Sequence, residues 1–275
     1  IVGLTDRLLE WYVNDPDPEV HSCVEYLLRS WEEDDRMLQL RPLLEQKLVP
    51  FGGESPDGGT HHSGWYQPYH VSAMMVIPGP RAEQIGSPIG EPGRSAEADL
   101  YNEDLRSVTV PYSFAVSSTE VTRAQFWRVR DGYWKSQPPT KPQEPVNSVH
   151  WHEAAEFCNR LSTLEGIEPS EFCYVNMDSE GRGRWRQKPN ALELTGSRLP
   201  TDEEWEIACR GGTSTVRPHG DATTWLQKYI VAGETNASPV AVGSRKPNRF
   251  GLFDMLGNVS EWIHTAESDA AQEKG

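Results

Sequence analysis

Residues 251–262 read GLFDMLGNVSEW, and no other stretch of the chain packs so much into so few positions. Two carboxylates, Asp254 and Glu261, flank a run containing Gly257 and Asn258. Hard carboxylate oxygens beside glycine-containing backbone, whose carbonyls can turn inward, form the ligand mix that calcium takes. A second reading keeps the same residues without an ion: Asp254 caps a turn, and Asn258 and Glu261 bond to nearby backbone. The polar tail IHTAESDAAQEKG follows at 263–275.

Upstream of this stretch, helix starts and stops are written clearly. In TRAQFWRVRDG, Thr122 stands as N-cap with Gln125 three residues on as its reciprocal partner, and Asp131-Gly132 as the stop. TDEEWEIACRGG repeats the device with Thr201, Glu204 and Gly211-Gly212. HWHEAAEFCNRLSTLEG sets Ala154, Phe157, Cys158, Leu161 and Leu164 on one face and ends at Gly166, with His150 in the cap position. Between the helices, short β-like runs at 70–79, 107–122 and 237–244 are bounded by turn residues. The polar stretches at 81–103, 131–145 and 176–191 read as loop. The class is α+β, with much irregular chain.

Residues 1–48 have a different texture. LTDRLLEWYV has helical spacing, Asp17-Pro18 fits an N-cap with Pro at the first helical position, and EVHSCVEYLLRSW puts Val20, Cys23, Val24, Leu27, Leu28 and Trp31 on one face. A third helix runs through EDDRMLQLRPLLEQKL. Such a segment cannot bury its own faces, so it must dock on something, and it reads as one unit of a helical repeat array or the end of a larger upstream region. The expected order is a helical segment over 1–48, a Gly-rich linker over 49–64, a globular domain over 65–265 and a polar tail over 266–275.

The totals narrow the function classes. A net charge of −15 argues against a nucleic-acid backbone as partner. No run of about 18 apolar residues suggests a membrane span. The four cysteines, Cys23, Cys158, Cys173 and Cys209, lie far apart without a C-x-x-C, giving neither a zinc signature nor a dense disulfide framework. Ten tryptophans and 21 prolines suit long loops pinned by aromatics.

Four stretches taken in order, SSTEVTRAQFWRVR (117–130), PVNSVHWHEAAEFCNRLSTLEG (145–166), SRLPTDEEWEIACRGGTST (197–215) and GLFDMLGNVSEW (251–262), resemble the formylglycine-generating enzyme, or sulfatase-modifying factor, domain family. GSP at 86–88 looks like the family's opening. The resemblance implies a variant of the C-type lectin fold, an α+β scaffold carrying long irregular loops, here preceded by the short α-helical segment. That segment, with DPDPEVHS, more loosely resembles the region before such domains in multidomain bacterial signalling proteins, some carrying a protein kinase. The resemblance also implies a calcium loop with Asp254 and Glu261 ligating through side chains and Gly257 and Val259 through main-chain oxygens. Ser260 departs from the family's usual aromatic.

The family's enzymes oxidise a cysteine in a C-x-P-x-R motif of a sulfatase to formylglycine, using O2 and copper held by a cysteine pair downstream of the segment that ends at Trp262. The residues after Trp262 contain no cysteine. The resemblance therefore implies an oxidase-type domain lacking that region, with copper expected only where a downstream pair exists. The alternative is a non-catalytic, lectin-like module that binds a protein, peptide or other ligand within a cytoplasmic signalling protein, fused to a kinase or helical repeat. An iron-dependent sulfoxide synthase is disfavoured, because residues 1–48 offer only His21.

Other motifs have bland readings. His150 and His152 diverge on a helix, and a Gly-rich segment cannot preorganise His61 and His62 as ligands. RGRWRQK (182–188) could stack a base but fits a solvated insertion better in an acidic chain. The sequons at Asn236 and Asn258 are discounted for a cytosolic protein.

Overall fold

A computed structural model describes residues 2–46, 64–91, 94, 103–130, 138–178, 183–231 and 238–264. The chain divides into two compact units, Ile1–Glu120 with Glu203–Asn258, and Val121–Asp202 with Val259–Gly275.

The first unit opens with helices α1 (Val2–Asn14), α2 (Pro18–Ser30) and α3 (Asp34–Gln46). Asp17 caps α2 as its sequence predicts, its carboxylate accepting from the backbone N–H of Glu19 at 2.8 Å and of Val20 at 3.1 Å. The helices lie on an antiparallel sheet of β1 (Trp65–Tyr66), β2 (Met74–Ile77) and β5 (Phe114–Ser117), with β2 central. A hairpin of β3 (Arg81–Ile85) and β4 (Arg106–Val110) completes the β structure of this unit. Leu8, Leu28 and Leu44 from the helices share one core with Trp65, Met75, Ile77 and Leu252. The opening helices thus bury part of their apolar surface within the same unit as the sheet.

The buried face of α2 is not the one its apolar pattern predicts. Cys23 is exposed and Leu27 and Trp31 are 38% and 41% exposed, whereas His21, Ser22 and Glu25 are buried beside Val24 and Leu28. Polar groups win this face because each has a partner waiting. The His21 ring stacks between Tyr12 at 4.7 Å and Trp65 at 3.6 Å, and its Nδ1 donates to the Tyr12 carbonyl at 2.8 Å. The Ser22 hydroxyl donates to the carbonyl of Gly251 at 2.8 Å, and Arg29 pairs with Glu25 at 2.5 Å.

Two further expectations change. The stretch 81–103 holds a strand, β3, whose residues alternate between the solvated and packed sides, so its polar composition is that of a half-exposed hairpin. Conversely, residues 238–244 form no strand; Gly243 turns there with φ 69°.

In the second unit, α4 (Arg123–Arg130) begins with the predicted capping box. Gln125 N–H donates to Thr122 Oγ1 at 3.1 Å, and Thr122 N–H donates to Gln125 Oε1 at 2.9 Å. Its expected stop at Asp131-Gly132 lies outside the described residues. Helix α5 (Trp151–Leu164) starts with Glu153 accepting from His150 N–H at 3.0 Å. A hairpin of β6 (Tyr174–Asn176) and β7 (Trp185–Gln187) packs beside it, and Asn159 donates to the Tyr174 carbonyl at 2.8 Å. Reciprocal indole bonds hold the end of this unit: Trp151 Nε1 to the Ile263 carbonyl at 3.2 Å and Trp262 Nε1 to the Val149 carbonyl at 2.8 Å. Helix α6 (Asp202–Arg210) returns the chain to the first unit and ends on Gly211 and Gly212 with φ of 58° and 74°.

Gly251 has φ 77°, and a Cβ there would lie 2.5 Å from the Pro18 carbonyl oxygen. Gly251→Ala is expected to cost roughly 2–4 kcal/mol of unfolding free energy, read by chemical denaturation, from backbone strain plus a clash with main chain. An effect below about 0.5 kcal/mol would show that α2 does not press on this loop. Burial pushes the His21 imidazole down to about 4, against its ordinary 6.5. Its neutral form therefore contributes stability that is full above pH 6.5 and drains away as pH falls towards 4, by up to roughly 3 kcal/mol. His21→Phe keeps the stack, and a denaturation series from pH 7 to 4 should show a flatter profile for it than for the parent chain.

Candidate functional site

The first unit holds Asp254 on a buried, irregular turn. The preceding turn is fixed by Asn248, whose amide donates to the Ala208 carbonyl at 2.7 Å while its Oδ1 accepts from Phe250 N–H at 2.9 Å and Leu252 N–H at 3.1 Å. That turn drives Leu252 and Phe253 into the interior and carries Asp254 inward, leaving it 2% exposed. Asp254 has a left-handed backbone, φ 54°, followed by Gly257 at 121° and Asn258 at 60°. Three such residues in five positions leave the loop no regular hydrogen-bonding pattern, so its groups are available for other partners.

Asp254 Oδ2 accepts from Gly243 N–H at 2.6 Å, while Oδ1 is buried with no hydrogen-bond partner among the described residues. Burial pushes this carboxyl up, and the Gly243 bond and the nearby Arg29 and Arg245 charges only partly offset that. Neither guanidinium is aimed at it. Arg29 donates to Glu25 and to the Val242 carbonyl at 3.3 Å, and Arg245 donates to the Ile230 carbonyl at 3.3 Å. A buried carboxylate oxygen left bare in this way is the kind of atom a hard cation coordinates.

The other expected ligands are placed separately. Gly257 belongs to the first unit and is exposed, pairing with Val231 through an isolated bridge. Val259 and the exposed Glu261 belong to the second unit. Asn258, expected to bond locally, instead reaches far along the chain: Nδ2 donates to Glu120 Oε2 at 3.1 Å and to the Val240 carbonyl at 3.3 Å, and Oδ1 accepts from Val240 N–H at 3.0 Å. An amide used three times is a structural strut, which removes the sequon reading at this position. The sequon at Asn236 and the pair His61–His62 lie outside the described residues.

Among the described residues no three His, Cys, Asp or Glu side chains cluster in metal-binding geometry. His152 Nδ1 accepts from the Trp185 backbone N–H at 3.2 Å, so it ties α5 to β7. The basic stretch 182–188 contains strand β7, with Arg186 on its exposed side. The described cysteines are all free thiols; Cys158, Cys173 and Cys209 are buried, and burial pushes Cys158 up to about 12 and Cys173 also upward. Buried, protonated thiols are poor nucleophiles and poor metal ligands.

Sequence reasoning missed the clamp at the start of the domain. Glu206 Oε1 accepts from Gly86 N–H at 2.6 Å, and Arg210 Nη2 donates to the Gly86 carbonyl at 2.6 Å, so one helical ion pair holds both faces of a single peptide position. Glu206 and Arg210 stand four apart on α6, a spacing visible in the sequence, but their target 120 residues away is not.

The sulfatase-modifying factor enzyme 1-like domain matches residues 67–274. The chain belongs to this family. The family's formylglycine-generating enzyme from Mycobacterium tuberculosis is 42% identical over 84 residues, 26% of this chain and 27% of the relative. The inactive C-alpha-formylglycine-generating enzyme 2 of Mus musculus is 37% identical over 160 residues, 54% of this chain and 40% of the relative. Among solved structures, Treponema denticola variable protein 1 superposes with a TM-score of 0.54 at 25% identity, covering 70% of this chain and 72% of that one. The chain spans 61% or less of the length of the first curated relatives it matches. The family match starts at residue 67, so α1, α2 and α3 precede it, although they share its core.

Asp254→Asn keeps the bond from Gly243 and removes the buried charge. A carboxyl held above its ordinary 3.8 contributes stability that is full below that value and is lost as pH rises through the folded value. In chelator at pH 7 the Asn variant should therefore be more stable than the parent, with the gain shrinking towards pH 4. A destabilised variant under those conditions would mean that the charge is compensated within the chain.

Proposed function

We propose that this chain provides the binding scaffold of a sulfatase-modifying-factor-type domain, stiffened by a calcium ion at Asp254, and that it does not by itself form formylglycine. The bare, buried Oδ1 of Asp254 carries the calcium part. Asp254 and Glu261 would supply side-chain oxygens and Gly257 and Val259 main-chain oxygens, in accord with their closeness along the chain. Calcium there neutralises a charge that burial otherwise penalises, and so stabilises the turn that follows Gly251.

The thiols carry the second part. Copper oxidase chemistry in this family needs a pair of soft thiolate ligands. Cys158, Cys173 and Cys209 are buried inside their units, with Cys158 and Cys173 pushed towards the neutral thiol, and Cys23 stands alone on a helix surface. Kinship with both a formylglycine-generating enzyme and an inactive counterpart accords with a domain that binds without oxidising. The ligand in this reading is a protein or peptide, and the helices before residue 67 suit a place in a longer cytoplasmic signalling protein, attached to a kinase or a helical repeat region.

Incubated with copper and a peptide containing C-x-P-x-R, the chain is expected to yield no aldehyde by mass spectrometry; aldehyde above a copper-only control would overturn the non-catalytic reading. Calcium should raise its melting temperature, and the double variant Asp254→Ala, Glu261→Ala should abolish that rise. A calcium shift that survives the double substitution would remove the ion from this loop.

A further inference from the structure

We propose that the groove between α1 and α3 is a docking site for a basic amphipathic helix of a partner protein. It is a cavity of about 390 Å³ on the helices that precede the family-matched residues, away from Asp254. Each wall is a helical stripe. Asp6, Leu9, Glu10 and Val13 line it from α1, and Arg36, Leu40 and Leu43 line it from α3, spaced three and four apart as neighbours on one helix face are.

The floor is apolar and incompletely covered. Leu9 is buried, Val13 and Leu40 are partly buried, and Leu43 is 48% exposed. The volume suits about three leucine-sized side chains, and α1 is about 20 Å long at the helical rise, so three turns of a partner helix would fill the trough. Its anchors would recur at i, i+3 or i+4, and i+7.

Charge on the rim selects the partner's sign. Arg36 is the one cation lining the groove, and it is already shared between two carboxylates, Asp6 at 2.6 Å and Glu33 at 3.6 Å. Glu10 is exposed on the opposite lip and enters no ion pair among the described residues. One guanidinium against the two lining carboxylates, Asp6 and Glu10, leaves the mouth acidic, so Lys or Arg flanking the partner's leucines gain attraction and acidic flanks meet repulsion.

The probe is a labelled 14-residue helical peptide with leucines on one face and lysines beside them, titrated against the whole chain by fluorescence anisotropy. Controls are a glutamate-flanked version and a scrambled peptide of the same composition. The lysine peptide should bind and the controls should not. Leu43→Asp should weaken binding at least tenfold through loss of the apolar seat. Glu10→Lys, at an exposed position that leaves the core untouched, should weaken it roughly threefold through one rim charge, and added salt should shrink that difference. Equal binding of the scrambled or glutamate peptide, or binding indifferent to Leu43→Asp in a variant with the parent's melting temperature, would overturn the proposal. Self-association of the chain in sedimentation, abolished by Leu43→Asp, would also overturn it by assigning the groove to a second copy.

Discussion

The hydroxyl of Ser22 donating to the carbonyl of Gly251 is the contact on which much of the first unit depends. It is buried at both ends, so neither group has water to fall back on, and losing one partner leaves the other unsatisfied at a cost of about 1–3 kcal/mol. The contact demands that α2 and the loop approach until their main chains nearly touch, and only glycine permits that approach. With Gly251 fixed, Leu252 and Phe253 are driven into the core and Asp254 is delivered to Gly243. Arg29, two turns further along the same helix face, donates to the Val242 carbonyl at 3.3 Å. A single helix thus grips two points of the chain that leads to the buried carboxylate.

Much of this architecture could be read in the sequence wherever the signal was local. Thr122 with Gln125, Asp17 before Pro18, and Gly211-Gly212 act within a few residues of themselves, and the structure places each as its chemistry dictates. Asp254 also stands out in the sequence, and the structure buries it on an irregular turn. The buried face of α2 was not. Apolar periodicity points to Cys23, Leu27 and Trp31, and it fails because His21, Ser22 and Glu25 find partners supplied by distant chain. Asn258 misled for the same reason: its amide serves Glu120 and Val240, and nothing near it in sequence announces them.

The chemistry of the cysteines and that of Asp254 share one cause. Burial lifts the thiols of Cys158 and Cys173 and the carboxyl of Asp254 alike, because low dielectric penalises the charged form of each. The outcomes differ with geometry. A neutral thiol is content in an apolar interior, where Cys173 donates to the Gly196 carbonyl at 3.2 Å. A carboxylate with one bare oxygen is not, because part of its charge goes uncompensated. Family membership alone does not separate binding from oxidation.

The clamp between α2 and the Gly251 loop also orders events in time. Ser22 and Gly251 are 229 positions apart, so a chain made from its N-terminus presents α1, α2 and α3 long before their counterpart exists. Closing so long a loop carries an entropic cost that grows only slowly with length, so distance itself is affordable once the strands have assembled. The waiting is the harder part. Until the sheet and the residues around Leu252 arrive, the apolar sides of three short helices face water, where collapse onto a wrong partner competes with folding. Helices made early are among the last elements to be locked in place.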